Sequence, residues 1–361
     1  MRISVVPPRD LGVQEVSRWR ALQDADPAFD NPFLSPEFTM VVGELRPQVR
    51  VAVLSDGPDV VGFFPFERHP LGIGKPVAAG LTDAQGLVHA KDIELDAKTL
   101  IKRCGLDVYE FDHLIADQPL VPERHSRHPS PIIDLRDGFD AYTETLKEQS
   151  GKTYRSTAYK KRKLGRDVGE VEHHFAIKDT GPLHTLLGWK TDQYRRTGRT
   201  DRFARPWIVE LVERLLATDT ESFGGLLDMV YADGRPVAGH FGLRTRTTLA
   251  GWFPAYDTAF AKYSPGLIQH LDMAERAAGT GIQVIDMGRG DKEYKEKLKT
   301  GEYFVTEGRV ATLGVGSGAH WMLRVPVRKV RGTVLANPLL LTAADRTLKA
   351  FGKLRTTLQG S

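Results

Sequence analysis

The hydrophobic pattern is clearest over residues 251–301, where it predicts two strands and two helices. Apolar and aromatic residues at 252–256 suit a strand. Apolar residues then recur at helical spacing over 267–278. A short apolar run at 284–287 suits a second strand and leads into a glycine-rich turn. The segment therefore predicts the order strand, turn, helix, strand, turn, helix.

Ser264 and Pro265 predict where the first of these helices begins. Serine at an N-cap accepts a hydrogen bond from a free amide group, and proline fits the first turn because its missing N–H would be unpaired there. Gly266 would let a ligand approach the backbone. A helix N-terminus carries unpaired N–H groups and a partial positive charge, so a pyrophosphate can bind there. An ordinary helix packed on a sheet fits the same residues.

The rest of the chain shows the same alternation of strand and helix patterns. Before residue 140, we predict strands at 1–8, 49–54, 60–66, 107–113 and 132–135 and helices at 13–22 and 95–104. After it, we predict helices at 141–165, at 182–197 and from Pro206, strands at 224–232, 236–246 and 247–256, and a strand pair at 303–305 and 310–315. This order predicts an α/β fold built on a mixed α+β sheet.

Composition sets the size of the fold and the class of partner. With 361 residues, 41% hydrophobic and 27% charged, the chain has the balance of a globular protein of two domains. Its 50 basic and 46 acidic residues give a net charge of +4, which is too small to indicate DNA binding. We find no signal peptide pattern and no membrane-spanning run. We expect a cytoplasmic protein and leave contact with a membrane surface open.

Cysteine and histidine usage points away from disulfide and metal chemistry. Cys104 is the single cysteine, so no disulfide forms within the chain, and its place on a helix pattern favours packing. His173 and His174 are adjacent and point to opposite sides of a strand, so they do not converge on a metal. The sequence has no P-loop and no dinucleotide fingerprint. We predict no metal site and no permanently bound cofactor.

Residues 152–163 form a basic segment with six Lys or Arg. The nearest acidic residues along the chain are Glu148 and Asp167. We therefore expect Arg155 and Lys161 to attract an anion, such as a phosphate, a nucleotide sugar, CoA or tRNA. The alternative is a solvated helix face, which is the usual role of a charge run.

The motifs around residue 264 resemble those of a known family. Residues 263–267 read YSPGL, and after one helix residues 286–291 read DMGRGD and residues 294–295 read YK. This order is similar to the BioF2-like or CelD-like branch of the GNAT acetyltransferase superfamily. It also resembles the Fem aminoacyltransferases, which consist of two GNAT-like domains in tandem. A weaker resemblance extends over most of residues 1–325.

The resemblance implies two tandem GNAT-like domains and an acyltransferase activity (EC 2.3.1.-). The N-terminal domain would span 1–145 and the C-terminal, donor-binding domain 146–325. The basic residues 326–361 would form an extension that packs on the body or binds an anionic surface. Acetyl-CoA or another acyl-CoA would be the cosubstrate. The acceptor would be an amine, on an amino sugar or on a precursor of a polysaccharide or natural product.

The family pattern assigns the donor to two neighbouring stretches. The strand with Trp252 and Phe253 would hold the acyl group and pantetheine, and the pyrophosphate would lie at Ser264, Pro265, Gly266 and Leu267. The usual Arg/Gln-x-x-Gly-x-Gly/Ala turn of the superfamily is absent. CoA would then bind differently, or an aminoacyl-tRNA would replace it.

Three residues are candidate catalytic groups. His240 would take a proton from the amine, because histidine is the usual general base near neutral pH; alternatively, it fills a half-buried strand position. Asp286 would bind the acceptor ammonium or act as a base; alternatively, it pairs with Arg289 or Lys295. By the resemblance, Tyr294 would protonate the departing thiolate.

Other charged residues are candidate substrate ligands. Arg289 and Lys295 would bind phosphate or carboxylate, or form surface salt bridges with Asp291 and Glu293. Residues 81–86 resemble a Ser/Thr-Asp segment of the family and would face the acceptor or form a surface loop.

Two further functions stay open on the sequence. The first is a Fem-like aminoacyltransferase that uses tRNA, for which the basic segment at 152–163 would bind the nucleic acid. The second is a non-catalytic binding protein with a GNAT fold, which would bind no donor.

Overall fold

The strands of the chain join into a single mixed sheet. The structure is a computed structural model that describes residues 1–115, 118–122 and 125–314. Within those ranges, thirteen strands belong to this sheet, and helices pack on it. The basic extension predicted at 326–361 lies outside the described residues, as does the end of the last predicted strand.

Most helices and strands follow the predicted order, and the short strands Ile73–Lys75 and Val88–His89 are additional. The strands are β1 Arg2–Val6, β2 Val49–Asp56, β3 Asp59–His69, β4 Ile73–Lys75, β5 Val88–His89, β6 Val108–Ile115, β7 Ser126–Asp134, β8 Val171–Ile177, β9 Gly224–Ala232, β10 Arg235–Arg244, β11 Thr248–Tyr256, β12 Val284–Asp286 and β13 Gly301–Ala311. The helices are α1 Val13–Asp24, α2 Pro36–Leu45, α3 Ala97–Arg103, α4 Gly138–Asp167, α5 Thr180–Arg196, α6 Pro206–Ala217, α7 Pro265–Ala278 and α8 Glu293–Leu298.

The same order of elements occurs twice along the chain. A strand and two helices are followed by three antiparallel strands, a helix and a strand parallel to its neighbour. In the first half these are β1, α1, α2, β2, β3, β4, α3 and β6, with the short β5 inserted. In the second half they are β8, α5, α6, β9, β10, β11, α7 and β12. The mixed α/β fold predicted from the sequence is confirmed, and this repeat is the order expected of a tandem arrangement.

The last strand of each half pairs with the other half. β7, from the first half, lies beside β12, and β13, from the second half, lies between β6 and β7. Main-chain hydrogen bonds therefore join the halves into one sheet. The domain boundary predicted between residues 145 and 146 falls inside α4, close to a break in its helical geometry at Ser150. The domain limits stay a prediction.

Two predicted strand boundaries are wrong. The strand pair expected around Gly308 is the single strand β13, whose register shifts between Thr306 and Gly308. Gly308 lies beside the Phe111 ring at this irregularity in strand pairing, and it does not form a turn. The strand expected from residue 132 begins at Ser126, because its prolines, which usually interrupt strands, are accommodated in β7.

Aromatic side chains of the two halves share one core. Phe33 and Phe38 of the first half contact the Trp252 ring of β11, with centroid distances of 5.3 and 6.3 Å. Trp19 stacks on Phe63 at 4.9 Å in the same core. Burial of such large apolar rings stabilises the contact between the halves.

A substitution at Gly225 tests how closely β9 approaches α6. A Cβ atom at Gly225 would lie 2.4 Å from the backbone oxygen of Leu215 in α6, so the strand or the helix would have to move. We expect Gly225→Ala to lower the free energy of unfolding by about 1–3 kcal/mol. The control is Gly188→Ala in α5, where the added methyl meets open space. It should raise stability by up to about 1 kcal/mol. Urea denaturation measures both, and an unchanged Gly225→Ala variant would contradict the packing described.

Candidate active site

A cavity opens where two parallel strands separate. β11 and β12 pair from Thr248 and Val284 to Ala250 and Asp286. Beyond that point β11 continues to Tyr256, whereas the segment that follows β12 turns away at Gly288, which has a φ of +73°. The space between them is an inner cavity of about 220 Å³. Side chains from both halves of the chain line it: Asp83, Lys190, Arg199, His240, Trp252, His270, Met273, Ile285, Met287, Arg289, Lys292, Tyr294 and Lys295.

The inner cavity is continuous with a larger outer cleft of about 1130 Å³. The two share eight lining residues: Asp83, Lys190, Arg199, Trp252, Pro254, His270, Lys292 and Tyr294. The first turn of α7 borders the outer cleft at Ser264, Pro265, Gly266 and Leu267. The predicted donor residues therefore lie along one continuous cleft.

Ser264 does not cap α7 with its side chain, contrary to the sequence prediction. A short 3-10 helix at Thr258–Tyr263 leads directly into α7, and Ser264 adopts a left-handed conformation with φ +52°. Its Oγ accepts a hydrogen bond from Lys160 Nζ at 2.7 Å. Pro265 occupies the first turn, as predicted. The hydroxyl group is thus tied to α4, and the side-chain cap expected for the first amide groups of the helix is not made.

Trp252 and Phe253 lie on the part of β11 that no longer pairs with β12. Both line the outer cleft, and Trp252 also borders the inner cavity. The indole Nε1 of Trp252 donates to the carbonyl oxygen of Leu81 at 2.7 Å. This contact holds the loop 81–86 of the first half against the cleft, and Leu81 and Asp83 line the outer cleft.

His240 lies between a buried carboxylate and the inner cavity. It is 1% exposed, and its Nδ1 lies 3.6 Å from Oδ2 of Asp228, which is fully buried. On the other side of the ring, a Cβ atom at Gly251 would lie 2.9 Å from Nε2. The absence of a side chain at Gly251 therefore leaves this nitrogen open towards the cavity.

Asp228 is held by several groups besides His240. Gln269 Nε2 donates to its Oδ1 at 2.7 Å, and His173 Nε2 lies 3.3 Å from the same oxygen. Burial alone would raise the pKa of Asp228, but the hydrogen bond with His173 and the nearby imidazole of His240 hold that pKa below its usual value. The carboxylate stays ionised behind the imidazole of His240.

His270 and Tyr294 form the rest of the ring cluster. The His270 ring lies 6.0 Å from the His240 ring and 5.2 Å from the Tyr294 ring, between centroids. Burial and the neighbouring His240 lower the pKa of His270 to about 4, so this imidazole is neutral. Burial raises the pKa of Tyr294 to about 12, so its phenol keeps a proton that it can donate.

Asp286 is enclosed by hydrogen bonds and is 1% exposed. Its Oδ1 accepts from Ser130 Oγ at 3.0 Å and from the Gly288 N–H at 2.8 Å. Its Oδ2 accepts from Asn31 Nδ2 at 3.1 Å and from the Tyr303 hydroxyl. The salt bridges with Arg289 or Lys295, considered from the sequence, are not formed.

Arg289 and Lys295 border the inner cavity, but their donors are occupied by the protein. Lys295 Nζ donates to the carbonyl oxygens of Gly288 and Arg289 at 2.7 and 3.1 Å. Arg289 donates to the carbonyl oxygen of Asp112 at 2.7 Å and to Glu307 at 2.9 Å. They hold the turn after β12 in place, and the surface pairs with Asp291 and Glu293 are not formed.

The expectation of few acidic neighbours is wrong for Lys161. Its Nζ lies 2.7 Å from Asp272 of α7, a residue 111 positions away in sequence. Arg155 is exposed on α4. Neither residue lines the inner cavity or the outer cleft. Sequence distance alone could not reveal a partner on another helix.

Comparison with known proteins agrees with this architecture. Residues 152–296 match the family described as acetyltransferase (GNAT) domain. The protein carries a GNAT domain. The match covers β8 to β12 and α7, so it includes the separated strands and most of the lining of the outer cleft. No curated protein matches the chain.

Solved structures show the same fold at very low sequence identity. FemX is 12% identical, with a TM-score of 0.59, over 89% of this chain and 99% of FemX. The C-terminal DUF2156 domain of an Agrobacterium fabrum protein assigned as a lysylphosphatidylglycerol synthetase is 10% identical, with a TM-score of 0.52, over 86% and 94%. A Bacteroides thetaiotaomicron protein of unknown function is 12% identical, with a TM-score of 0.53, over 85% and 100%. The fold is thus that of GNAT and Fem-related proteins.

Sequence reasoning missed several groups that the GNAT domain places at the cavity. The sequence predictions do not include Asp228, His270 and Lys190. Asp228 is a single charged residue in the apolar strand β9, and Lys190 is one of several polar residues in α5. The available signal was the polar run Gln269-His270 inside the apolar stripe of α7. Lys190 is 7% exposed, and its Nζ donates to the carbonyl oxygen of Pro254 at 3.0 Å.

The described residues contain no group of three or more His, Cys, Asp or Glu side chains placed to hold a metal ion. In the same part of the chain, every helix is too short or too polar to cross a bilayer.

The four hydrogen bonds to Asp286 predict a large loss of stability on substitution. In Asp286→Asn, an NH₂ group would face one or two donors, leaving buried polar groups without acceptors. We expect the free energy of unfolding to fall by about 1–3 kcal/mol. The exposed Asp291→Asn variant removes the same charge and should unfold like the parent. Urea denaturation of both proteins measures this, and equal stability would refute the role of Asp286 as an acceptor.

Proposed function

We propose that this protein is an N-acyltransferase that transfers an acyl group, with acetyl the simplest case, from acyl-CoA to an amine. The observation that carries the proposal is the cavity between the separated strands, with His240 backed by Asp228 on one side and Tyr294 on the other. The match of residues 152–296 to a GNAT domain supports it.

The outer cleft suits an elongated, anionic donor. Its volume of about 1130 Å³ exceeds the usual range for a small ligand. The N-terminus of α7 borders it and favours negative charge, and a Cβ atom added at Gly266 would meet only Tyr256, at 3.7 Å. We place the pyrophosphate at Ser264, Pro265, Gly266 and Leu267, and the acyl end beside Trp252.

The ring cluster supplies the proton transfers that the reaction needs. The amine nitrogen attacks the acyl carbon, the carbon–sulfur bond breaks, and an amide forms. His240 Nε2 takes the proton that the amine gives up, while Asp228 favours the tautomer with its proton on Nδ1. Tyr294 gives its phenolic proton to the leaving thiolate.

Asp83 is a better candidate than Asp286 for binding the acceptor ammonium. Its carboxylate lies at the junction of the inner cavity and the outer cleft, whereas Asp286 has four donors of its own. Burial, opposed by His113, raises the pKa of Asp83 to about 6, so it is mostly ionised at neutral pH. We assign Asp286 a positioning role for the turn at Gly288.

Donor binding is the first test. Titration calorimetry with acetyl-CoA, and separately with free CoA, should show micromolar binding. Gly266→Asp should abolish it, because the added carboxylate would repel the pyrophosphate at the start of α7. Gly279→Asp, at the opposite end of the same helix, carries the same change outside the cleft and should bind normally.

If neither acetyl-CoA nor free CoA binds, the acyl-CoA proposal is refuted. A tRNA titration would then distinguish the remaining functions. Tight binding that falls steeply with salt would indicate a Fem-like aminoacyltransferase. A flat response would leave a non-catalytic binding protein.

Substitution of the ring cluster tests the chemistry. With an amine acceptor found by screening, His240→Ala should lower kcat by about 10²- to 10⁴-fold, the usual contribution of a general base. Tyr294→Phe should also lower kcat, since the phenol that stays protonated up to about pH 12 is lost. The controls are His184→Ala and Tyr159→Phe, which change exposed residues outside the cavity. Release of free thiol measures the rate, and unchanged rates in both ring variants would remove these residues as catalysts.

A further inference from the structure

Four cations border the site without a carboxylate partner. Lys190 lies on α5, Arg199 and Arg202 lie in the loop after it, and Lys292 precedes α8. Each lines the outer cleft, and all but Arg202 also line the inner cavity. Within residues 1–115, 118–122 and 125–314, no Asp or Glu forms a salt bridge with any of the four. We call these residues the cationic wall.

The cations of this wall are close enough to repel one another. Burial and the charges of Lys292, Arg202, Arg199 and Lys295 lower the pKa of Lys190 to about 7. Four positive charges that face one cleft, with only the carboxylate of Asp83 among them, favour the binding of an anion, because the anion relieves their repulsion.

Two acidic groups lie near the wall. Glu293 pairs with Lys297 at 2.5 Å. Asp83 lies 3.6 Å from His113 and lines both cavities, so it places a single negative charge beside the four cations. Four other titratable groups line the inner cavity from β10, α7 and α8: His240, His270, Tyr294 and Lys295. His270 and the Tyr294 phenol are neutral near pH 7, because their pKa values lie at about 4 and about 12. They therefore do not neutralise the wall.

The cationic wall reaches deeper than the proposed donor phosphate site. The first turn of α7 lines only the outer cleft, whereas Lys190, Arg199 and Lys292 continue into the inner cavity beside His240. An anionic group bound there lies near His240, where the amine would react. We therefore assign this anionic group to the acceptor and not to the donor.

We propose that the acceptor is an amine that also carries an acidic group, a phosphoryl or a carboxylate, which binds to Lys190, Arg199, Arg202 and Lys292. This inference rests on the proposed acyltransferase function, because it assigns the donor to α7. It narrows the acceptor from any amine to an anionic or zwitterionic one.

Binding of the acidic group should be linked to uptake of a proton. At pH 8, Lys190 is mostly neutral, because its pKa lies near 7. A bound anion favours the ammonium form and raises that pKa, so the protein takes up a proton as the anion binds. The uptake should be largest about one unit above pH 7 and should vanish at pH 6, where Lys190 is already charged.

Calorimetry with simple anions tests the proposal. Inorganic pyrophosphate and succinate serve as separate phosphoryl and carboxylate probes. They are titrated at pH 8 into protein saturated with CoA, so that the α7 site is occupied. Two buffers with different enthalpies of ionisation report the proton uptake. We expect at least one probe to bind with up to one proton taken up per site.

Variants assign the binding to the wall. Arg199→Met and Arg202→Met should each weaken binding of the probe about tenfold, as expected for the loss of a charged hydrogen-bond partner. Lys190→Met should remove the proton uptake. Arg196→Met, in the last turn of α5 and outside both cavities, should bind like the parent.

The outcomes separate this inference from the proposed function. If CoA binds and neither probe binds to the CoA-saturated protein, the wall holds the donor's own phosphates or no anion, and the inference is overturned while the function stands. Equal weakening by Arg196→Met would also overturn it. If CoA fails to bind, the function fails, and the probes are then titrated into Gly266→Asp protein to test the wall alone.

Discussion

The carboxylate of Asp286 joins parts of the chain that are far apart in sequence. Its oxygens accept from Asn31 and Ser130 of the first half and from Gly288 and Tyr303 of the second. Asp286 also ends the pairing between β11 and β12. One ionisable side chain therefore anchors both halves at the point where the strands separate. The cavity, the cleft and the ring cluster all depend on that separation.

The chemistry of the site rests on differences in protonation among buried groups. Asp228 stays ionised because imidazoles surround it, His270 stays neutral because it is buried beside His240, and Tyr294 keeps its proton because burial disfavours the phenolate. An ionised carboxylate behind His240 and a phenol that keeps its proton thus occur within one small volume. Such a division of roles is what transfer of an acyl group to an amine requires.

The sequence allowed most of the fold to be predicted, because strands and helices alternate with clear periodicity and the motif at 263–267 and 286–291 is ordered. It did not reveal the partners of charged residues. Lys161 finds Asp272 on another helix, and Lys295 binds backbone carbonyl oxygens after burial. His240 was identified because histidine is chemically distinctive, whereas Asp228 behind it looks like one polar residue in an apolar strand. Contacts between elements that are distant in sequence determine the surroundings of these side chains, and local sequence patterns do not encode such contacts.

The exchange of β7 and β13 has a consequence for biosynthesis. β6 finds its neighbour β13 only when the chain has been made almost 200 residues further on. Until then the first half has an unpaired strand edge, which is prone to pair with other chains. The protein therefore completes its fold late, as a whole, and pairings between residues so distant in sequence make that step slow. Separation of the two halves would leave β6 and β12 with unpaired edges.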